Sequence, residues 1–194
     1  MNKKLLSLCA VALLAAPLAL ANRITFSPVA QTVLDPAMPS VDVVYNPEAT
    51  VLGSYDIFLT WDASLLDLLT IGFGTGLGEL VTPTTIQFTT PGVGMAEVGE
   101  VSLLSPADLI ASQPAGPFTL FTLTFKTKGV AGTSPLVILP TSIFGDENGM
   151  ETLPALDTGA ITVRVPTGVP EPSTIALLGA GLAAGALLHR RRRN

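Results

Sequence analysis

The chain has 194 residues and a formal net charge of −5, but six of its ten basic residues stand at the two ends, at Lys3, Lys4 and Arg190 to Arg193. Between residues 22 and 165, four basic residues (Arg23, Lys126, Lys128, Arg164) stand against fourteen acidic ones, a balance of −10 that repels a phosphate backbone and argues against nucleic-acid binding. The only cysteine is Cys9 and the only histidine His189, both close to an end, so the body between them has no disulfide, no thiol nucleophile, no Ser-His-Asp or Cys-His arrangement and no histidine metal ligand.

The chain opens on Lys3 and Lys4, an apolar run from Leu5 to Leu20, and Ala19-Leu20-Ala21. This is the order of a secretory signal peptide, with Ala19 and Ala21 as the small residues of the cleavage site and cleavage expected after Ala21. About 16 apolar residues interrupted by Pro17 make a short membrane span, which favours a cleaved signal over a retained helix. Cys9 follows Leu8 rather than a small residue, which argues against lipid attachment there.

From residue 24 to 165, short β-branched and aromatic stretches are broken by Gly, Pro, Asn and Asp at intervals of roughly ten residues, the pattern of an all-β sandwich or barrel. Strands are expected at 24–26, 41–45, 55–61, 84–89, 98–103, 121–127, 136–139 and 160–165, eight or nine in all. In the strand at 55–61, residues 55, 57, 59 and 61 share one face and 56, 58 and 60 the other. The clearest strand sets Phe121, Leu123 and Phe125 against Thr122, Thr124 and Lys126. Brief helical turns are expected at 64–69 and 106–112.

After Val165 comes Pro166-Thr-Gly-Val-Pro-Glu-Pro172, whose three prolines fix an extended linker (166–174). Ser173 or Thr174 can cap a helix running from Ile175 to Leu188, about 14 to 16 apolar residues, thinned on one side by Gly179, Gly181 and Gly185. Arg190, Arg191, Arg192 and Arg193 then stop transfer and hold their end in the cytoplasm. Val-Pro-Glu-Pro-Ser, an apolar helix and a terminal arginine cluster, in that order, resemble the PEP-CTERM sorting signal (169–194). The resemblance implies export in a Gram-negative bacterium that makes exopolysaccharide, and recognition of Pro170, Glu171 and Pro172 by exosortase. It also implies transient residence in the inner membrane through a transmembrane helix (175–194), and later delivery to the cell surface or extracellular matrix.

The body (22–165) resembles the cohesin family in the order of its anchors. These are Tyr55 to Asp62 followed by Leu65 and Leu66, Phe121 to Lys126, Gly132 to Leu136, Phe144 to Gly149, and Asp157 to Val163. The resemblance implies a jelly-roll sandwich that binds a dockerin-like protein through an exposed sheet face, with no motif that names the contact residues. Fold alone does not fix the partner, so a polysaccharide is an equal expectation.

No catalytic residue and no cofactor is expected. Asp146, Glu147, Asn148 and Glu151 bring oxygen ligands of the type calcium takes, but their spacing is not that of an EF-hand loop and a solvated turn is the ordinary reading. Tyr55 and Trp61 would stack on sugar if exposed, yet their alternation with Ile57 and Leu59 places them in the core. The pairs Glu97 with Glu100 and Asp62 with Asp67 are the only hint of glycosidase chemistry, which needs two carboxylates facing across a cleft. The expectation is therefore a non-enzymatic binding protein; the alternative is a carbohydrate-binding accessory module or small glycan-active enzyme.

Overall fold

The computed structural model describes residues 22–48, 50–79 and 83–166. The signal segment with Ala19 and Ala21, most of the Pro-rich linker, the Pro170-Glu171-Pro172 motif, the apolar helix and the arginine cluster lie outside the described residues. Among the described residues no helix is long and apolar enough to cross a membrane.

Alternating apolar residues with turn-formers at short intervals leave the backbone no regular option but strands, and these pair into two sheets. In chain order they are β1 (Arg23–Ser27), β2 (Ala30–Leu34), β3 (Ser40–Asn46), β4 (Leu52–Thr60), β5 (Leu66–Phe73), β6 (Thr85–Pro91) and β7 (Met95–Ser102). A helix of about two turns, α1 (Pro106–Ser112), precedes β8 (Phe118–Thr127), β9 (Gly132–Ile138), β10 (Ile143–Asp146), β11 (Glu151–Thr152), β12 (Ala155–Leu156) and β13 (Thr158–Arg164). One sheet runs β12-β1-β3-β8-β5; the other, of eight strands, runs β11-β10-β4-β9-β13-β2, with β7 on the free side of β4 and β6 beyond it. The all-β sandwich expected from the sequence is the observed architecture. The number of segments exceeds the expected strands because β11 and β12 are two-residue pieces, and because β1 and β2 belong to different sheets although only two residues separate them.

The core forms where the inner faces of β4 and β8 meet. Tyr55, Ile57 and Leu59 on one side and Phe121, Leu123 and Phe125 on the other are all buried. Trp61 sets its ring edge against Phe125 with centroids 5.4 Å apart, and Tyr45 does the same to Phe118 at 5.5 Å. Burial leaves the Trp61 indole N–H in need of an acceptor, which the Leu66 carbonyl supplies at 3.2 Å. Tyr55 and Trp61 are thus core residues, and neither is available to a sugar.

One expected element is corrected. The helical turn expected at 64–69 is limited to Ala63, Ser64 and Leu65, and Leu66 already opens β5. The Asp62 carboxylate accepts from the Ser64 amide at 2.8 Å and closes the turn early. From there Leu66 pairs with Thr127 and Leu68 with Phe125, so the hydrogen bonds and burial offered by β8 outweigh the local helical spacing of the leucines. At 106–112 the helix is present, capped by the Ser105 hydroxyl, which accepts from the Asp108 amide.

With no disulfide in the body, this packing carries the fold. Phe125→Ala leaves a cavity between Trp61 and Leu123; equilibrium denaturant unfolding is expected to show a loss of about 3–5 kcal/mol.

Candidate functional site

Because successive side chains on a strand point to opposite faces, burying Tyr55, Ile57 and Leu59 forces Ser54, Asp56 and Phe58 outward. Residues paired across neighbouring strands share a face, so the register extends that surface over four strands. Ile86, Val101, Ser54 and Gly145 form one row across β6, β7, β4 and β10; Phe88, Gly99, Asp56 and Ile143 form the next; Thr90, Glu97 and Phe58 form a third. Ile86, Phe88 and Val101 are exposed, and Ile143 is 57% exposed.

Two features make this surface more than a wet sheet face. The ring of Phe88 lies flat on Gly99, where a Cβ would come within 2.0 Å of its Cζ, so the glycine is what lets an aromatic side chain lie across β7. The second is Asp56. Its Oδ1 is buried and has no hydrogen-bond partner, and burial together with the neighbouring Glu97 holds its carboxyl above the usual carboxylate range. An acceptor left dry and unpaired is costly, and a donor from outside reaches this one only when the carboxyl turns outward. None of the four basic residues of the body belongs to these rows. The surface therefore combines apolar contact area with two acceptors and no cation of its own.

The other acidic pairs do not form sites. Glu97 and Glu100, three residues apart on β7, point to opposite faces: Glu97 joins the outer surface, while Glu100 is turned inward and only 1% exposed. In the core the Glu100 carboxylate accepts from the Tyr55 hydroxyl at 3.0 Å and from the Gln87 side-chain amide at 2.7 Å. The Thr85 hydroxyl faces the same carboxylate without completing a hydrogen bond. Burial raises the Glu100 carboxyl, and the hydrogen bonds only partly oppose that; burial and the adjacent Glu100 also push the Tyr55 phenol well above its ordinary range. Asp62 spends its carboxylate on the Ser64 amide and hydroxyl, which hold it below the usual range, and Asp67 pairs with Lys128 at 3.1 Å. No two of these carboxylates face each other across a cleft.

In the 146–151 loop, Asp146 Oδ1 accepts from the Asn148 and Met150 amides, each at 2.8 Å, and Asn148 Nδ2 donates to Glu147. These contacts close the turn from within. Among the described residues no group of three or more His, Cys, Asp and Glu side chains gathers as a metal site would require.

Sequence reasoning placed Asp56 and Phe58 on the outer face of β4 but left Phe88, Val101 and Ile143 unassigned. The alternation in β6 carries a weak signal for Phe88. Nothing local marks Ile143, which reaches the surface only through its pairing with Asp56.

Comparison with known proteins places these features. Residues 168–193 match the PEP-CTERM protein-sorting motif, the mark of an exported protein. No curated protein matches the chain. Among solved structures the fold is that of cohesin modules. The sixth cohesin of scaffoldin B from Acetivibrio cellulolyticus, solved with a Cel5 dockerin, shares 13% identity at a TM-score of 0.61, over 74% of this chain and 99% of its own. The seventh ScaB type I cohesin from Pseudobacteroides cellulosolvens shares 15% at 0.60, over 78% and 97%. A non-cellulosomal cohesin from the archaeon Archaeoglobus fulgidus shares 15% at 0.57, over 74% and 91%. The chain therefore joins a cohesin-like sandwich to a PEP-CTERM sorting motif.

A carboxyl whose proton is held more tightly in the folded chain than in the unfolded one supports folding most at low pH. The contribution of Glu100 is fully present below the ordinary glutamate range and is lost as pH rises toward its raised folded value. Glu100→Gln keeps an acceptor for Tyr55, and a flip of the Gln87 amide restores the second bond. Thermal unfolding from pH 4 to 8 should show this variant losing the part of the stability decline that Glu100 causes, and matching or exceeding the parent at neutral pH.

Proposed function

We propose that this chain is an exported, non-enzymatic binding protein, held briefly in the inner membrane of a Gram-negative bacterium by its tail, cut by exosortase near Pro170-Glu171-Pro172, and released to the cell surface or exopolysaccharide matrix. Its cohesin-like domain binds a partner through the outer face of β6, β7, β4 and β10. The observation that carries the binding half is the buried, unpaired Asp56 Oδ1 inside an exposed apolar surface. Once its carboxyl turns outward, such a group is satisfied by a partner that brings a hydrogen-bond donor, a cationic side chain or a hydroxyl, together with apolar area to cover Ile86, Phe88, Val101 and Ile143. The dockerin in the scaffoldin B complex supports a protein partner of that kind. A polysaccharide is the weaker reading, since the two aromatic residues best suited to stacking on sugar, Tyr55 and Trp61, are committed to the core. A glycan-active enzyme is weaker still, for want of a facing pair of acids. We infer no resident metal, because the Asp146 carboxylate is engaged in its own turn.

The sorting half is tested by mass spectrometry of the protein recovered from host cells with and without exosortase. Termini at Asn22 and near Pro170 to Pro172 only when exosortase is present support the reading; an arginine cluster retained in both strains refutes it. For the binding half, a tagged full-length chain is purified from the host with its partners. Phe88→Ala and Asp56→Ala should each weaken a saturable interaction at least about tenfold, as loss of an interface anchor does. Thr124→Lys, on the outer face of the other sheet, should leave it intact. Equal retention by all three variants would show that the partner docks elsewhere.

A further inference from the structure

The described chain ends at Pro166, directly after β13, and the loops around that exit form one end of the sandwich. The Asp35 amide donates to the Arg164 carbonyl at 2.8 Å, and Asp35 Oδ1 accepts from the Gly129 amide at 3.0 Å. The Lys128 amide reaches the Leu65 carbonyl at 3.0 Å, and the Trp61 amide reaches the Gly94 carbonyl at 3.0 Å. The β2–β3 loop, the β8–β9 turn, the 62–65 turn and the β6–β7 turn are thereby tied around the point where the tail leaves.

Each of three of these loops carries an exposed apolar side chain: Met38, Val130 and Val93, the last 92% exposed. Val93 is held out by a tight turn whose Gly94 has φ +73 and packs against Ala63. Leu34 is exposed at the same end. Charge divides in balance: this end sets three cations against Asp35, Asp62 and Asp67 and is neutral, whereas the opposite end is strongly acidic. Of the four basic residues in the body, Lys126, Lys128 and Arg164 lie here, whereas Arg23 is at the opposite end, paired with Asp157 at 3.3 Å. The acids at this end are engaged locally, Asp35 by the Gly129 amide, Asp62 by Ser64 and Asp67 by Lys128, and Lys126 and Arg164 have no ion pair among the described residues. The opposite end also exposes apolar residues, Leu103 and Leu153, but it carries Asp108, Asp146, Glu147, Glu151 and Asp157 and is remote from the tail.

We propose that the tail-proximal end of the sandwich is a membrane-contact surface, seated on an anionic bilayer by Met38, Val93 and Val130 with Lys126, Lys128 and Arg164 beside them, as long as the tail is attached. The inference rests on the reading that the apolar segment 175–188 enters the membrane. The linker 166–174, at about 3.1 Å per extended residue, reaches at most about 28 Å, so it confines these loops close to the headgroups and makes weak contacts effective. Isolated apolar side chains on loop tips, with cations beside them, suit the headgroup boundary of such a membrane.

The test uses residues 22–194, the chain expected once the signal is removed and one that contains no cysteine, reconstituted in vesicles of phosphatidylcholine with about one third phosphatidylglycerol, a composition anionic enough to engage juxtamembrane cations. M38C, V93C, V130C and, for the far end, L153C are each labelled with an environment-sensitive dye. Brominated lipid should quench the first three at least twofold more than the last, and replacing Lys126, Lys128 and Arg164 together by Gln should reduce that difference. If the chain floats with the vesicles while all four dyes stay open to aqueous iodide and untouched by bromine, the contact surface is refuted and the membrane anchor stands. If the chain does not float, the anchor reading falls and this inference with it.

Discussion

Everything in this domain depends on the contact between the inner faces of β4 and β8. No disulfide is available, so the two sheets are held by the aromatic and aliphatic residues that meet there, Tyr55 near Phe121 and Trp61 against Phe125 above all. That contact also fixes what the outside can be. Since side chains alternate along a strand, committing residues 55, 57 and 59 to the core assigns 54, 56 and 58 to the surface, and a slip of one residue would exchange the two sets. The candidate binding surface is therefore the reverse side of the core strand.

Adjacent strands show what this assignment does to a carboxylate. Glu100 and Asp56 lie on β7 and β4, which pair directly, and both carboxyls are raised by burial. Glu100, turned inward, is satisfied by Tyr55, its own cross-strand partner, and by Gln87 from β6. A hydrogen-bonded acid between two strands rewards only one pairing of β4, β7 and β6, which gives it a part in setting their register. Asp56, turned outward, has no such partner for Oδ1. The same carboxyl group thus serves structure on one face and leaves an acceptor unpaired on the other.

The parts legible in the sequence were those written in short-range pattern. Alternation located β4 and β8 and placed Tyr55 and Trp61 inside; a brief helical turn was expected at 106–112, where α1 lies; the Pro-Glu-Pro, apolar and arginine succession marked the sorting motif. Less legible were the elements made by long-range pairing. β2 is polar enough to pass for a loop and becomes a strand by lying parallel to β13, some 130 residues away. β5 was obscured by leucines at helical spacing. The candidate surface was the least legible of all, because its rows join four strands and no single segment contains the pattern. Gly99, whose role is to leave room for Phe88, carries no local sign of that role.

The two surfaces of the domain are set at right angles by the same topology. β13 finishes at the end of the strands where β4 finishes, β7 begins and β8 turns, whereas the Asp56 face looks out perpendicular to the strands. A domain standing on its tail end would therefore present that face sideways, clear of the membrane. Within the face, Thr60 and the exposed Met95 lie nearest the tail end, the row of Thr90, Glu97 and Phe58 comes next, and the rows holding Phe88, Ile143, Ile86 and Val101 lie farther from it. Apart from Met95, the apolar part of the surface is thus set back from the tail end along the strands, and the acidic Glu97 stands between them. On the proposed reading, anchoring and binding need not compete: the contacts that would steady the domain on the membrane use loops, and those that would hold a partner use a sheet face turned away from them.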